Sequence, residues 1–361
     1  MIILGIESSC DETAASVVQI DGNRFSVKSN IVSSQIPIHS LYGGVVPEIA
    51  SRAHCEAISN VVESAINESG TSLSDIDAVA VTFAPGLIGS LLVGVGFAKA
   101  LASSTGKALI PVDHIKAHVA AAHLEHEFDD QYYLALVVSG GHTSLYEVIN
   151  NNEYTELGST RDDACGEAFD KVGRLLGLPY PGGAAMDKLA AEAFDSTDTS
   201  YISFPSPAVN DDSYDYSFSG LKTAVLNYIN NYKQKNKTDI IPEDVKRQIA
   251  GSFTKTICEG ISKKLENLII HSKYKGVKKL ILAGGVAANS HLRKAVSSVC
   301  IKHKIELIVP SIKYCGDNGA MTAAAGYYNY LEGIKADSYL NAYASDEASH
   351  IYLNSLKEKR I

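Results

Sequence analysis

The chain shows the same order of hydrophobic and polar positions at two places. Residues 1–20, MIILGIESSCDETAASVVQI, pass from an apolar run through small and polar residues to a second apolar run. Residues 132–149, YYLALVVSGGHTSLYEVI, repeat that order. Two apolar runs around a turn rich in Ser, Gly and Thr are typical of a β-hairpin. Because each hairpin opens a longer series of strands and helices, the pattern predicts a duplicated α/β unit.

Each half then continues with strands that lead into helices. The first half has a predicted strand over 78–83, a Pro-Gly turn, a helix and a second strand, ALIPVD. The second half has the strand-turn-helix pattern VKKLILAGGVAANSHLRKAVSSVC and the strand KIELIVPS. Residues 195–215 lack periodicity and are predicted to be a loop or insertion. One apolar face predicts a long helix that starts near Pro242 and contains Val245, Ile249, Phe253, Ile257, Ile261 and Leu265.

Length and composition are those of a globular protein with a substantial core. The chain has 361 residues, of which 45% are hydrophobic and 20% charged, so we expect two domains. The sequence suggests no membrane segment, because its apolar stretches carry glycines and polar breaks, and no secretory signal. The six cysteines include no CxxC pair, so we expect reduced thiols and a cytoplasmic location.

Charge is distributed unevenly along the chain. The net charge is −9, yet residues 220–313 contain 18 Lys and Arg against 6 Asp and Glu. Such a segment could bind a polyanion, but charge alone favours the simpler interpretation of a solvated lysine-rich face.

The motif HIKAH places His114 and His118 four residues apart, on one face of a predicted helix. Two imidazoles at this spacing can bind one metal ion, as they do in HExxH zinc sites. A metalloprotease would need a glutamate where Ile115 stands, so that activity is disfavoured. Asp317, between glycines in CGDNGAM, is the best third ligand. Ordinary surface or capping histidines remain the alternative.

Three glycine turns lie in the second half: SGGHT at 139–143, YPGGAAMDKLA at 180–190 and AGGVAANS at 283–290. Bare backbone N–H groups at such turns favour phosphate or allow a flat ring to pack closely. They match neither GxxxxGK[ST] nor GxGxxG, so neither a P-loop nor a dinucleotide fold is predicted. Together they predict a nucleotide cleft between two lobes.

Acidic residues accompany these turns. Glu7, Asp11 and Glu12 cluster in GIESSCDET, while Asp170 and Asp187 lie on predicted helices and could bind ribose hydroxyls. Each acid taken alone is more often simply solvated.

Nine ordered motifs across residues 5–321 resemble the tRNA N6-adenosine threonylcarbamoyltransferase family, formerly called O-sialoglycoprotein endopeptidases. They are GIESSCDET, PEIASRAH, APGLIGSLLVG, HIKAH, VSGGHT, GEAFDKVGRLLGLPYPGG, YSFSGLKTAV, LAGGVAANSHLR and CGDNGAM. SGGHT resembles the bacterial branch. The chain has HIKAH where HMEGH is frequent, Gly319 where Ala is common, and APGL where GPGL is common. None of these departures removes a candidate ligand, although Lys116 adds a cation near the histidines.

The resemblance implies an α/β fold of the actin, Hsp70 and sugar-kinase type, with two RNase H-like lobes around a nucleotide cleft. We expect an N-terminal lobe over 1–130 and a C-terminal lobe with helical insertions over 131–318. A C-terminal helix over 319–361 is expected to pack back partly on the first lobe. Asp317 would then come from the second lobe.

The implied activity is transfer of threonylcarbamoyl from threonylcarbamoyl-AMP to N6 of adenosine 37, in tRNAs reading codons that begin with A. The implied cofactor is one divalent ion, Fe²⁺ or Zn²⁺, and the nucleotide ligand is the adenylate, ATP or AMP. Implied partners are tRNA, a degenerate paralogue and a small ATPase. The implied site residues are His114, His118 and Asp317 for the metal, and Val137, Val138, Ser139, Gly140, Gly141, Asp170, Gly183, Asp187 and Asn289 for the adenylate.

Asp11 and Glu12 are the candidates to accept the proton from the adenine amine. A sugar kinase or chaperone-like ATPase of the same fold is the main alternative activity, and a metalloprotease is a weaker one.

Overall fold

The computed structural model of the chain describes residues 1–127, 132–195, 201–271 and 273–358. The strands are β1 (Ile2–Glu7), β2 (Glu12–Asp21), β3 (Arg24–Ser34), β4 (Ala78–Ala84), β5 (Ala108–Asp113), β6 (Tyr132–Val138), β7 (Thr143–Ile149), β8 (Glu153–Ser159), β9 (Lys279–Ala283) and β10 (Glu306–Ile308). The α-helices are α1 (Ile36–His39), α2 (Pro47–Ser69), α3 (Ile88–Thr105), α4 (His114–Ala120), α5 (Cys165–Leu175), α6 (Gly182–Phe194), α7 (Ser219–Asn236), α8 (Glu243–Ile270), α9 (Ser290–His303), α10 (Ile312–Cys315), α11 (Gly319–Leu331) and α12 (Asp346–Glu358). Short 3-10 helices lie at Ser40–Tyr42, Leu73–Asp75, Ala121–Leu124 and Gly285–Ala288.

The described residues form two compact units. Unit 1 contains those up to residue 127, Asn150–Glu153 and those from Pro310 onward. Unit 2 contains Tyr132–Ile149 and those from Tyr154 to Val309. The expected boundary at residue 318 therefore differs from the observed one at residue 310. The reason is that α11 packs on β1 and β2, so the loop that leads into this helix, with Asp317, belongs to unit 1.

Unit 1 is built on a five-stranded sheet with the order β3-β2-β1-β4-β5. The first three strands are antiparallel, and β4 and β5 run parallel to β1. Leu4 and Val79 belong to the core that the sheet forms with α2 and α3, whereas their neighbours Ile3 and Ala80 belong to the core formed with α4 and α11. Because both faces are covered, β1 and β4 are continuous apolar runs.

Unit 2 repeats this arrangement, with the sheet order β10-β9-β6-β7-β8. Strand β6 pairs antiparallel with β7 and parallel with β9, and β10 runs parallel to β9. Both predicted hairpins, β1-β2 and β6-β7, are thus confirmed as the centres of two sheets of the same topology. The duplicated α/β unit expected from the sequence is present.

The long helix predicted after Pro242 is α8, which begins at Glu243. All six residues of its predicted apolar face are buried. The predicted loop over 195–215 lies partly outside the described residues, and its described part from 201 contains no named helix or strand. A spacing of four therefore identified the core face of this helix correctly.

The single C-terminal helix expected over 319–361 is instead two helices, α11 and α12, while residues 359–361 lie outside the described part. Helix α11 ends at Leu331 because Gly333 takes a left-handed backbone conformation with φ of 61°. Leu353 of α12 is buried in the same core as β1 and α3. The C-terminal segment therefore does pack on unit 1, but through a separate helix.

Helix α3 is the one described helix long and apolar enough to cross a membrane by length and composition. The sequence pattern had suggested none. Leu91, Val95 and Ala98 of this helix are buried in the core of unit 1. A single helix of this kind, with part of its surface buried in a core, is weak evidence for a membrane segment.

Candidate metal centre and glycine-lined site

The helix that carries the two histidines begins directly after β5. Asp113 ends the strand and caps α4, because its Oδ1 accepts hydrogen bonds from the backbone N–H groups of Ile115 at 2.9 Å and Lys116 at 3.2 Å. His114 and His118 are both buried, and their ring centroids lie 4.6 Å apart. The capped helix therefore presents both imidazoles on one face, as their spacing predicts.

Asp317 lies in the turn between α10 and α11. Its Oδ1 is 3.3 Å from Nε2 of His118 and 3.7 Å from Nε2 of His114. Asn318 holds the turn, since its Oδ1 accepts a hydrogen bond from the N–H of Met321 at 3.0 Å and its Nδ2 donates to the carbonyl of Gly316 at 2.8 Å. The three side chains meet within unit 1, although Asp317 was expected from the second lobe.

This donor set fits a divalent cation. One donor atom from each of His114, His118 and Asp317 lies within 4.8 Å of the other two. Both ring nitrogens of His118 are buried without a hydrogen-bond partner among the described residues, which is costly unless another group satisfies them. Two imidazoles and a carboxylate suit zinc or iron and leave coordination positions for further ligands.

A buried carboxylate lies behind His114. Oε2 of Glu7 is 3.3 Å from Nδ1 of His114, and Oγ of Ser9 is 3.1 Å from the same nitrogen. Burial by itself would lower the pKa of His114, but the carboxylates of Asp317 and Glu7 raise it to about 9. Burial would likewise raise the pKa of Glu7, but His114 and the hydrogen bond from Thr82 lower it. In the metal-free protein the pair therefore favours a protonated imidazole beside a carboxylate.

This protonation makes metal binding depend on pH. His114 keeps its proton up to a pKa of about 9, above its ordinary 6.5, so a metal must displace that proton below pH 9. We expect the apparent affinity for Co²⁺ to rise by up to about tenfold per pH unit between pH 7 and 8.5. Chelator-competition titrations measure this slope, and proton release into a weak buffer checks it.

In the metal-free protein, the contribution of His114 to folding stability should fall as pH rises. Between pH 6.5 and 9 the folded chain holds a proton on His114 that the unfolded chain has lost, so this contribution to stability is lost as pH rises.

The variant His114→Gln is the control for the Co²⁺ titration and should remove the proton release that accompanies Co²⁺ binding. An affinity for Co²⁺ in the wild type that does not change from pH 7 to 8.5 would contradict the expectation.

The two candidate proton acceptors lie where the turn after β1 meets β2: Asp11 ends the turn and Glu12 begins β2. Asp11 is buried, and its backbone carbonyl accepts a hydrogen bond from the N–H of Gln35 at 2.9 Å. Burial and the nearby carboxylates of Asp317 and Asp11 raise the pKa of Glu12 to about 9. Glu12 is therefore protonated at neutral pH in the metal-free chain, and a cation on Asp317 would offset part of that repulsion.

The predicted glycine turns of unit 2 are held together by close backbone contacts. At Gly284, where φ is +93°, a Cβ would lie 2.7 Å from the carbonyl carbon of Val138. At Gly166, a Cβ would lie 2.6 Å from the carbonyl oxygen of Ser139. The start of α5 and the turn after β9 therefore both meet the end of β6.

Four other glycines of these turns are open, whereas Gly182 lies against α5, where a Cβ would be 3.1 Å from Cα of Asp170. A Cβ added at Gly140, Gly141, Gly183 or Gly285 would meet nothing within 4 Å. These positions give a ligand access to bare backbone, since the structure leaves space beside them. The side chains of Val137 and Val138, by contrast, are fully buried in β6, so only their backbone can face a ligand.

The polar candidates of unit 2 fix helix starts. Oδ1 of Asp170 accepts a hydrogen bond from the N–H of Gly182 at 2.7 Å. Asp187 accepts hydrogen bonds from the N–H and hydroxyl of Ser290 at 3.2 and 3.1 Å. Asn289 caps α9 by accepting from the N–H of Leu292 at 2.9 Å. These contacts bring α5, α6 and α9 together around the open glycines.

The fold and the His-His-Asp cluster define a class: a protein of the actin, Hsp70 and sugar-kinase type with a candidate metal centre. Component A of the (R)-2-hydroxyglutaryl-CoA dehydratase of Acidaminococcus fermentans superposes with a TM-score of 0.52 at 13% identity, covering 91% of this chain and 98% of that one. T. kodakarensis HypF superposes with a TM-score of 0.57 at 14% identity, covering 92% of this chain and 48% of that one. At these identities the likeness shows the fold alone.

The sequence family is narrower than the fold. The family profile described as TsaD, tRNA N6-adenosine threonylcarbamoyltransferase, matches residues 26–324. The tRNA N6-adenosine threonylcarbamoyltransferase of Staphylococcus carnosus is 48% identical over 344 residues, covering 95% of each chain. This chain belongs to the tRNA N6-adenosine threonylcarbamoyltransferase family and is a transferase. The resemblance stated from the nine motifs is confirmed.

Proposed function

We propose that the chain transfers the threonylcarbamoyl group from threonylcarbamoyl-AMP to N6 of adenosine 37, in tRNAs that read codons beginning with A. The observation that carries the proposal is the convergence of His114, His118 and Asp317 in a chain of this family. Threonylcarbamoyl-AMP is a mixed anhydride, so the transfer needs no further activation by ATP. The remaining task is to position the reactants and to stabilise developing charge.

His114, His118 and Asp317 would hold one Fe²⁺ or Zn²⁺ ion. When bound, the ion supplies a Lewis acid for an oxygen of the substrate. The chain contributes Asp113, which caps the histidine helix, and Asn318, which holds the turn of Asp317. Both keep the ligands in place before the metal arrives, and such preorganisation is what a metal site needs.

The adenylate would bind at the open glycines of unit 2. Candidate contacts are the backbone of Val137, Val138, Ser139, Gly140 and Gly141, together with Asp170, Gly183, Asp187 and Asn289. Backbone N–H groups at Gly140 and Gly141 would donate to phosphate, and Asp187 would accept from ribose hydroxyls.

A methyl group at Gly183 tests this site without disturbing the fold. A Cβ there meets no protein atom within 4 Å, so Gly183→Ala should leave the melting temperature within about 2 °C of wild type. Nucleotide affinity should fall about tenfold, because the methyl would occupy space that the ligand needs. Calorimetric titration with AMP measures it. Gly220→Ala, equally open but on α7, is the matched control; equal AMP affinity in the two variants would argue against the site.

Asp11 and Glu12 remain the candidates to accept the proton of the adenine amine. An acceptor must be ionised, and Glu12 is held protonated partly by Asp317. Neutralisation of Asp317 by a bound cation would therefore lower the pKa of Glu12 toward the range of a useful base.

The tRNA would meet the basic segment 220–313, in which exposed lysines such as Lys235, Lys263 and Lys294 lie on α7, α8 and α9. Base 37 lies in the single-stranded anticodon loop and can be splayed out for reaction.

We propose a degenerate paralogue and a small ATPase as protein partners. A cytoplasmic location fits the cysteines, none of which forms a disulfide in the part of the chain that the structure describes.

The deciding experiment supplies purified chain, the proposed partners, tRNA and threonylcarbamoyl-AMP made with labelled threonine. Label in nucleoside 37 supports the proposal. Steady ATP hydrolysis by the chain alone, without tRNA or partners, together with no label in tRNA in the full mixture, would instead favour the ATPase alternative. Cleavage of a peptide by the metal-loaded chain would favour the metalloprotease.

A further inference from the structure

Glu7 is buried beside the metal cluster and is not one of its expected ligands. It ends β1 and is 0% exposed. In the sequence it is one of three clustered acids, with no signal that separates it from Asp11 and Glu12. In the structure, its full burial and its contact with His114 distinguish Glu7 from the other two acids.

The carboxylate of Glu7 is held from several elements at once. Its Oε1 accepts a hydrogen bond from the N–H of Ser9 at 2.6 Å, and its Oε2 accepts one from the hydroxyl of Thr82 on β4 at 2.5 Å. The hydroxyl of Thr322 on α11 lies 3.5 Å from Oε2. These donors fix the orientation of the carboxylate, with Oε2 directed at the 3.3 Å contact with Nδ1 of His114.

No lysine or arginine pairs with Glu7 among the residues that the structure describes. A buried carboxylate without such a partner costs several kcal/mol, so it is expected where its charge has a use. The group that faces it and can carry a proton or a positive charge is His114.

We propose that Glu7 is the positioning residue of the metal centre: it holds the proton of His114 on Nδ1, and so leaves Nε2 with a lone pair for the cation. This role of Glu7 rests on the proposed metal site. Nδ1 lies 3.3 Å from Oε2 of Glu7 and 3.1 Å from Oγ of Ser9, whereas Nε2 lies 3.7 Å from Oδ1 of Asp317. The Ser9 hydroxyl can donate or accept, so it permits either tautomer, and the carboxylate, which only accepts, selects the one with the proton on Nδ1. The tautomer of a metal-binding histidine is set by the hydrogen bond that its other nitrogen makes.

The substitution Glu7→Gln separates this role from a packing role. The N–H of Ser9 requires an oxygen at the Oε1 position, so the amide nitrogen of glutamine would take the place of Oε2. That nitrogen would donate to Nδ1 of His114 and move the imidazole proton to Nε2, where it blocks the metal. Shape and the hydrogen bond from Ser9 are retained, while the hydroxyl of Thr82, which donates to Oε2 of Glu7, would have to rotate and accept from the amide nitrogen.

The test is chelator competition for Co²⁺ with the full chain, together with the visible absorption spectrum of bound Co²⁺. We expect Glu7→Gln to bind Co²⁺ about 10–100-fold more weakly than wild type and to change the spectrum. Glu7→Asp, which keeps the charge at a longer distance, should fall between the two. Glu147→Gln, at a buried glutamate in unit 2 that pairs with Lys273, is the matched control and should bind as wild type does.

Binding by Glu7→Gln within about threefold of wild type, or equal loss in Glu7→Asp and Glu7→Gln, would overturn the inference. If Glu7→Gln does not fold, Glu7→Asp decides alone: a loss of more than about threefold supports the role, and a smaller one overturns it. His118→Ala separates this failure from failure of the metal site itself. If His118→Ala also binds Co²⁺ as wild type does, the cluster is not the site at all.

Discussion

Replacing Asp317 with alanine is expected to lower the rate of threonylcarbamoyl transfer by at least about 100-fold. The carboxylate is the one acidic member of the cluster, and its Oδ1 lies within 3.7 Å of both imidazoles. Lewis-acid stabilisation is worth several kcal/mol, and each 1.4 kcal/mol is about tenfold in rate. The measurements are label transfer to tRNA and the metal content of the purified protein.

Asp317→Asn keeps the size of the side chain and removes its charge, and should lose metal and activity together. Asp21→Asn, at an exposed aspartate of the same unit, is the matched control and should retain both. A variant at Asp317 that transfers at more than about one third of the wild-type rate with metal bound would exclude this carboxylate as a ligand.

Gly5→Ala should destabilise unit 1 by at least about 3 kcal/mol. A Cβ at Gly5 would lie 2.6 Å from the backbone N of Ala323 and closer still to the carbonyl oxygen of Gly319, both on α11. Neither atom belongs to a flexible side chain, so the strand and the helix must separate. Urea denaturation measures the loss, and poor recovery of folded protein is a further expected sign.

Gly96→Ala is the control for this substitution. Gly96 is exposed in the middle of α3, and a Cβ there meets nothing within 4 Å. Alanine should therefore stabilise that helix by about 0.5–1 kcal/mol. A loss of similar size in both variants would mean that the close approach of α11 to β1 is not what Gly5 serves.

The close packing at Gly5 is a feature that the sequence does not predict. GIESSCDET places a glycine inside an apolar strand, and the sequence does not say which element approaches it. The approaching element is α11, more than 300 residues later in the chain. The role of Glu7 is hidden for the same reason, because its partners Thr82 and His114 come from other elements of unit 1.

The two histidine ligands can be predicted from the sequence because local geometry brings them together. A spacing of four brings His114 and His118 onto one helix face in any helix, and the observed helix does so. The sequence does not predict which unit supplies Asp317, since this depends on where α11 packs. The sequence predicts one C-terminal helix where the structure has two, because α11 ends at a left-handed glycine followed by an irregular segment.

Periodicity alone determined the two hairpins, the apolar face of α8 and the shared face of the two histidines, because each depends on residues only a few positions apart. Tertiary structure decided that Asp317 joins those histidines and that Glu7 lies buried behind His114. It also decided that hydrogen bonds to Asp170 and Asp187 hold together the helices around the open glycines of unit 2. Each of these depends on packing between elements far apart in the chain, and a local pattern carries no information about which distant backbone will fill the space beside it.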